Sequence, residues 1–155
     1  MPHIVCNITE VCVFSFENKE PLYLMLRRSK SENLYPDAWQ IVTGSIEAGE
    51  TALQASLREL KEETGYTPTK YWIVPHVNTF FSVKHDVLHH TVIFAAQVPP
   101  KTNPALSDEH SRFGWYPFEK AKEMLVWPGQ IRAVEIVNEF IVGGKKAAEF
   151  SEIIL

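Results

Sequence analysis

Apolar residues fall along this chain in two rhythms. Residues 4–16 form a Val-, Ile-, Cys- and Phe-rich run that predicts a strand. After a polar turn at 17–21, Leu22, Leu24 and Leu26 alternate with Tyr23, Met25 and Arg27. That period of two predicts a half-buried strand ending near Arg28. A polar loop at 29–37 leads into a short strand at 39–43. Between residues 51 and 65 the rhythm changes, with Leu53, Leu57 and Leu60 at i, i+4 and i+7, one face of a helix. Thr51 and Gln54 have capping-box spacing ahead of that face, and Gly65 can take the left-handed turn that closes it. Strands are then expected at 71–83, 90–98 and 113–116, with Pro99, Pro100 and Pro104 marking a loop. Residues 118–126 and 130–142 read as amphipathic helices separated by Pro128 and Gly129. The last residues, 150–155, are apolar and are expected to pack on the domain or on a second subunit, as in a homodimer.

This order of elements predicts an α/β fold with mixed strands. A length of 155 residues, 45% of them hydrophobic, fits one domain spanning 1–155 with a proper core. The net charge of −4 argues against a general attraction to nucleic acid or to an anionic membrane. No apolar run reaches the roughly 18–20 residues of a membrane span, and the first residues lack a leader pattern. Cys6 and Cys12, the only cysteines, share one predicted strand, so no disulfide is expected and the chain reads as cytoplasmic.

Candidate chemistry gathers on the helix at 51–65. At about 100° per residue, Glu59, Glu62 and Glu63 fan out within about 100° of one another, away from the leucine face. Ala52 and Ser56, on the same row, would leave room beside them. Like charges at i, i+4 repel by roughly 0.2–0.5 kcal/mol per pair, so the cluster needs a reason. A solvated acidic face would leave Gly44, Glu50 and Arg58 as coincidences. A hard divalent cation such as Mg²⁺, which takes oxygen ligands and shares them with phosphates, accounts for the cluster better.

Gly44, Glu50, Arg58, Glu59, Glu62, Glu63 and Gly65 fall at the separations Gly-(x)5-Glu-(x)7-Arg-Glu-aliphatic-x-Glu-Glu-x-Gly-aliphatic, with Leu60 inside and Tyr66 at the last apolar position. The stretch resembles the Nudix box, and the chain resembles a Nudix hydrolase. The resemblance implies an α/β/α sandwich around a mixed sheet and hydrolysis of a phosphoanhydride bond. It also implies Mg²⁺ or Mn²⁺ on Glu59, Glu62 and Glu63, aided by the backbone carbonyl of Thr43. Arg58 would orient a carboxylate, and Glu50 would support the loop or contribute to binding. The run Glu109-His110-Ser111-Arg112-Phe113-Gly114-Trp115 is similar to an element of several Nudix subfamilies that brings a further glutamate to the metal site. Glu59 and Glu109 are thus both candidates for the base.

Trp39-Gln40-Ile41-Val42-Thr43-Gly44-Ser45 is similar to the bacterial branch of dATP and dihydroneopterin triphosphate pyrophosphohydrolases. This implies a nucleoside or pterin triphosphate as substrate. A dinucleoside polyphosphate or nucleotide sugar is the alternative, and a non-catalytic ligand sensor is the reading from another class. Arg27 and Arg28 should point to opposite faces, one of them toward a phosphate. Trp39, Tyr35, Phe80 and Phe81 are candidates to stack a ring. His85 and His89 have ligand-like spacing, but read as structural or surface residues.

Overall fold

The computed structural model describes residues 1–100 and 102–155. Strands β1 (His3–Glu17) and β2 (Glu20–Arg28) form an antiparallel hairpin, its turn made by Asn18 and Lys19 in left-handed conformations. In β2, Leu24 and Leu26 enter one core while Tyr23 and Met25 enter another. The half-buried strand expected from the alternation is therefore buried on both faces. Helices cover both sides of the sheet, so period-2 patterning no longer separates core from solvent.

The short strand expected at 39–43 is two strands, β3 (Trp39–Gln40) and β4 (Val42–Ser45). Gln40 pairs with Leu26 of β2, whereas Val42 pairs with Val11 of β1. The chain changes partner at Ile41, which is fully buried where it crosses. Helix α1 (Ala52–Thr64) follows, then the long hairpin β5 (Lys70–Ser82) and β6 (Val87–Gln97), and β7 (His110–Tyr116). The sheet runs β3-β2-β1-β6-β5, with β4 on β1 and β7 on β2. β1 and β6 form the one parallel ladder between strands among the described residues.

On the other face lie α2 (Phe118–Met124) and α3 (Pro128–Ile136), the latter running on into a π-helical turn, Val137–Val142. Pro128 and Gly129, expected to separate helices, are instead the first turn of α3. Proline suits that position because its missing N–H is unpaired there anyway. Gly129 sits close against Asn78: a Cβ on it would lie 2.0 Å from the end of that side chain, which would have to shift. The apolar tail folds into α4 (Lys146–Ser151) and β8 (Glu152–Ile153), which pairs with β5 at Tyr71 and Trp72. The result is an α/β/α sandwich. Leu60 of α1 packs with Val11, Leu24 and Phe94 on one face; Ala133 and Val134 of α3 pack with Phe14, Met25 and Ile93 on the other.

Candidate functional site

Helix α1 forms where its local signals lie. The Thr51 hydroxyl accepts from the Gln54 N–H at 3.2 Å and the Gln54 side chain accepts from the Thr51 N–H at 2.9 Å, closing the capping box. Gly65 ends the helix at φ 74°, donating to the Lys61 carbonyl. Leu60 is buried, with Leu53 and Leu57 packed beside it. Ser56 does not leave open room by the carboxylates. It is fully buried and bonded to the Tyr71 hydroxyl at 2.8 Å.

Arg58 is the hub of the loop ahead of the helix. Its Nε and Nη2 donate to the two Glu50 oxygens at 2.7 and 2.9 Å, a bidentate pair. Nη2 also reaches the Ser45 carbonyl at 2.9 Å, and Nη1 reaches Glu59 at 2.8 Å and Glu62 at 3.2 Å. Glu50 accepts in addition from the Glu47 N–H at 3.0 Å. Its hydrogen bonds to Arg58, then that backbone bond, hold its carboxyl down to about 2. The Glu59 carboxylate lies over Gly44, where a Cβ would stand 2.0 Å from the carboxyl carbon. Only glycine allows that approach.

The three box carboxylates differ in environment. Glu62 is the most open, with 58% of its side chain exposed, against 13% for Glu59. Glu63 is 2% exposed, and neither of its oxygens makes a hydrogen bond. Desolvation first, then the charges of Glu59 and Glu109, push its carboxyl well above the usual range. The Thr43 backbone and Arg28 pull it back without closing a hydrogen bond. Burial also raises Glu59, opposed by Arg58.

Strand β7 pairs with β2, and Ser29 at the end of β2 donates to the Glu109 carbonyl at 2.8 Å. This pairing brings Glu109 and His110 over the end of α1. Glu63, Glu109 and His110 each place a ligand atom so that all lie within 4.8 Å of one another, the one such convergence among the described residues. His110 is buried; its Nε2 lies 2.9 Å from the Gln40 amide nitrogen and its Nδ1 has no partner. Burial, then the Arg28 charge, lowers its pKa to about 4, so the ring is neutral at pH 7. An unpaired buried carboxylate beside another carboxylate and a neutral imidazole fits a divalent cation, which would satisfy groups otherwise costly to bury.

Arg28 and Arg27 do point apart. Arg28 faces the Glu63 side, held by Glu32 at 3.0 Å and the Leu34 carbonyl at 2.8 Å. Arg27 pairs with Asp37 at 3.3 Å. Trp39 is half-buried against the second core, edge-on to Tyr116 at 6.1 Å. Tyr35 meets Trp127 edge-on at 4.8 Å, both exposed, and Phe80 stacks on His89. His85 and His89 bond to Ser82 and Asn7 and do not converge.

A second polar cluster, absent from the sequence motifs, lies on the α3 face. Gln130 donates from Nε2 to Glu10 at 2.9 Å and to the Thr43 hydroxyl at 3.1 Å, and accepts from the Ile41 N–H at 3.4 Å. Burial raises the Glu10 pKa while the Gln130 and Asn78 side chains lower it. A signal was present: Glu10 is a lone charge inside an apolar strand run.

The sequence profile described as NUDIX domain matches residues 7–139. An octanoyltransferase from Myxococcus xanthus is 32% identical over 120 residues, covering 77% of this chain and 33% of that protein. The dihydroneopterin triphosphate diphosphatase of Escherichia coli (strain K12) is 47% identical over 53 residues, 34% of this chain and 31% of that protein. The chain thus spans a third or less of the length of these relatives. Among solved structures, a Caenorhabditis elegans Ap4A hydrolase in a binary complex superposes with a TM-score of 0.73 at 21% identity, covering 90% of this chain and 99% of that one. No helix among the described residues is long and apolar enough to cross a membrane.

Proposed function

This chain belongs to the NUDIX domain family, and from that premise we propose that it is a divalent-cation-dependent pyrophosphohydrolase of one domain, residues 1–155. Its substrate on this reading is a nucleoside or pterin triphosphate, cleaved to the monophosphate and pyrophosphate. The observation that carries the proposal is Glu63, buried with both oxygens unpaired and facing Glu109 and His110. The substrate class is supported by the 47% identity to the dihydroneopterin triphosphate diphosphatase over 53 residues.

Glu59, Glu62 and Glu63 would hold Mg²⁺ or Mn²⁺ with Thr43. When bound, the cation neutralises phosphate oxygens and makes water a better nucleophile at neutral pH. Arg58, gripping Glu50 and touching Glu59 and Glu62, sets the carboxylates in place and ties the loop to the helix. Glu59 and Glu109 are the candidates to take a proton from the attacking water. Arg28 adds positive charge near Glu63, while Arg27 is held by Asp37 and Trp39 packs on Tyr116, so each would serve the substrate only on release from that partner. The net charge of −4 and two free cysteines support a cytoplasmic setting without nucleic acid or membrane. Exposed Phe150, Ile154 and Leu155 keep a homodimer within this reading, which light scattering in solution decides.

The test is release of phosphate and pyrophosphate, with Mg²⁺ and with Mn²⁺. The panel holds ordinary and oxidised nucleotides, dihydroneopterin triphosphate, dinucleoside polyphosphates and nucleotide sugars. Pyrophosphate from a triphosphate is the expected result. Turnover of dinucleotides or nucleotide sugars alone would move the assignment to the second reading. No cation-dependent release from any member would leave the sensor reading.

A further inference from the structure

Beside Glu63 lies one ligand atom that an all-oxygen magnesium site does not use. His110 is the first residue of β7 and is 4% exposed, and its Nδ1 is shielded from solvent with no hydrogen-bond partner. One of its ring nitrogens lies within 4.8 Å of the Glu63 and Glu109 ligand atoms. Nε2 is engaged with Gln40, which leaves Nδ1 as the free donor. A buried imidazole nitrogen with nothing to bond costs free energy unless something completes it.

We propose that His110 Nδ1 is a nitrogen ligand to the divalent cation on Glu63, with Glu109 as a further oxygen ligand and Glu59 left as the base, a mixed oxygen and nitrogen site favouring Mn²⁺ or a similar borderline ion over Mg²⁺. This rests on the cation-dependent reading above. Imidazole suits transition ions, whereas Mg²⁺ holds to oxygen. The ligand role requires the Nδ1 lone pair, and hence the proton on Nε2. Gln40 controls that choice. With its amide nitrogen toward Nε2, the imidazole proton sits on Nδ1. Turned end for end, its carbonyl accepts Nε2–H and frees Nδ1. No other hydrogen bond holds that amide among the described residues, so the turn sacrifices none. Gln40 is therefore the positioning residue, playing the part that a carbonyl or carboxylate plays behind a ligating histidine. Its place is set by β3, where Gln40 pairs with Leu26 of β2, the strand that also carries β7.

The experiment is pulsed electron paramagnetic resonance of Mn²⁺ bound to the full chain. Wild-type protein should show directly bonded nitrogen, and histidine labelled with ¹⁵N should change that coupling. His110→Ala should abolish the coupling and weaken Mn²⁺ at least about tenfold while changing Mg²⁺ affinity less, both read by calorimetry. Gln40→Leu, which keeps the imidazole, should weaken Mn²⁺ by roughly 10- to 100-fold. Bound Mn²⁺ without nitrogen coupling in the wild-type protein would overturn the proposal even if hydrolysis is found. Coupling without hydrolysis of any substrate would sustain it and sink the proposed function instead. The labelled wild-type measurement stands whether or not the alanine variant folds.

Discussion

Glu63 and Glu10 are both buried carboxylates, one on the α1 side of the sheet and one on the α3 side, and their neighbours differ in kind. Glu10 has amide partners: Gln130 donates to it at 2.9 Å and Asn78 lies close enough to lower its pKa. Glu63 has other acids, Glu59 and Glu109, and no hydrogen bond to either oxygen. Amides can satisfy a buried acid in either protonation state. Ionised acids around an ionised acid repel it and offer no donor, so a cation from outside the chain would satisfy Glu63 in its charged form. The comparison separates a polar group built into the structure from one held ready for a ligand.

The largest expected effect comes from removing the charge at Glu63. Glu63→Gln should lower cation-dependent turnover by roughly 1,000-fold, the loss of several kcal/mol of charge stabilisation. It should also erase the rise in Tm that Mg²⁺ or Mn²⁺ causes. Glu10→Gln should leave that rise intact, and if it does not, the two sites are not independent. Glu62→Gln, on the open side of the helix, should also nearly abolish turnover with the fold unchanged. Circular dichroism and a turnover assay check this, and near-normal rates would remove Glu62 from the metal set.

The next effect is on pH dependence. Both acids bind a proton more tightly folded than unfolded, so without cation they make stability fall as pH rises from 4.5 through their raised values. Saturating Mg²⁺ should cancel the Glu63 part of that fall and leave the Glu10 part. Thermal melts of wild type, Glu63→Gln and Glu10→Gln across this range would resolve the two. Glu50 contributes with the opposite sign, adding stability above 4.5 that is lost as pH falls toward about 2.

Gln130→Leu should cost about 1–3 kcal/mol, since it strands Glu10 without its donor. Chemical denaturation measures this, and cation affinity should not change. Thr43→Val is the smallest and most pointed test. The Thr43 hydroxyl accepts from Gln130 on one face while its backbone lies toward Glu63 on the other. Loss of the hydroxyl should cost about 1 kcal/mol. A change in cation affinity as well would show that β4 transmits between the faces.

What the sequence made legible was local in origin. Thr51, Gln54 and Gly65 mark the ends of α1 through contacts within a few residues, and the box spacing places Glu50 in reach of Arg58. What stayed hidden depends on partners far along the chain. The burial of Glu63 comes from the sheet beneath α1, and the position of His110 from the pairing of β7 with β2. Ile41 reads as one more residue of a strand until β1 and β2 compete for its neighbours. Pro128 and Gly129 carry break signals that α3 turns into a first turn, and the short α4 and β8 depend on the exposed edge of β5.

The parallel ladder between β1 and β6 sets the order in which the molecule can be completed. Its partners lie more than 80 residues apart, from His3 with Val87 to Phe14 with Gln97. At about 5–20 residues per second, a ribosome needs roughly 4–16 s to deliver the second strand after the first. Through that interval α1 can form locally, yet Leu60 lacks Phe94, Ala96 and Val98, the residues of β6 and its end that complete its core. Glu63 is then a solvated acid on a loose helix, not yet buried among the residues that leave it unpaired. The central pairing is slow to close because its contacts are so distant in the chain. Divalent ions should therefore leave the folding rate nearly unchanged and slow unfolding, acting as a latch on the finished protein.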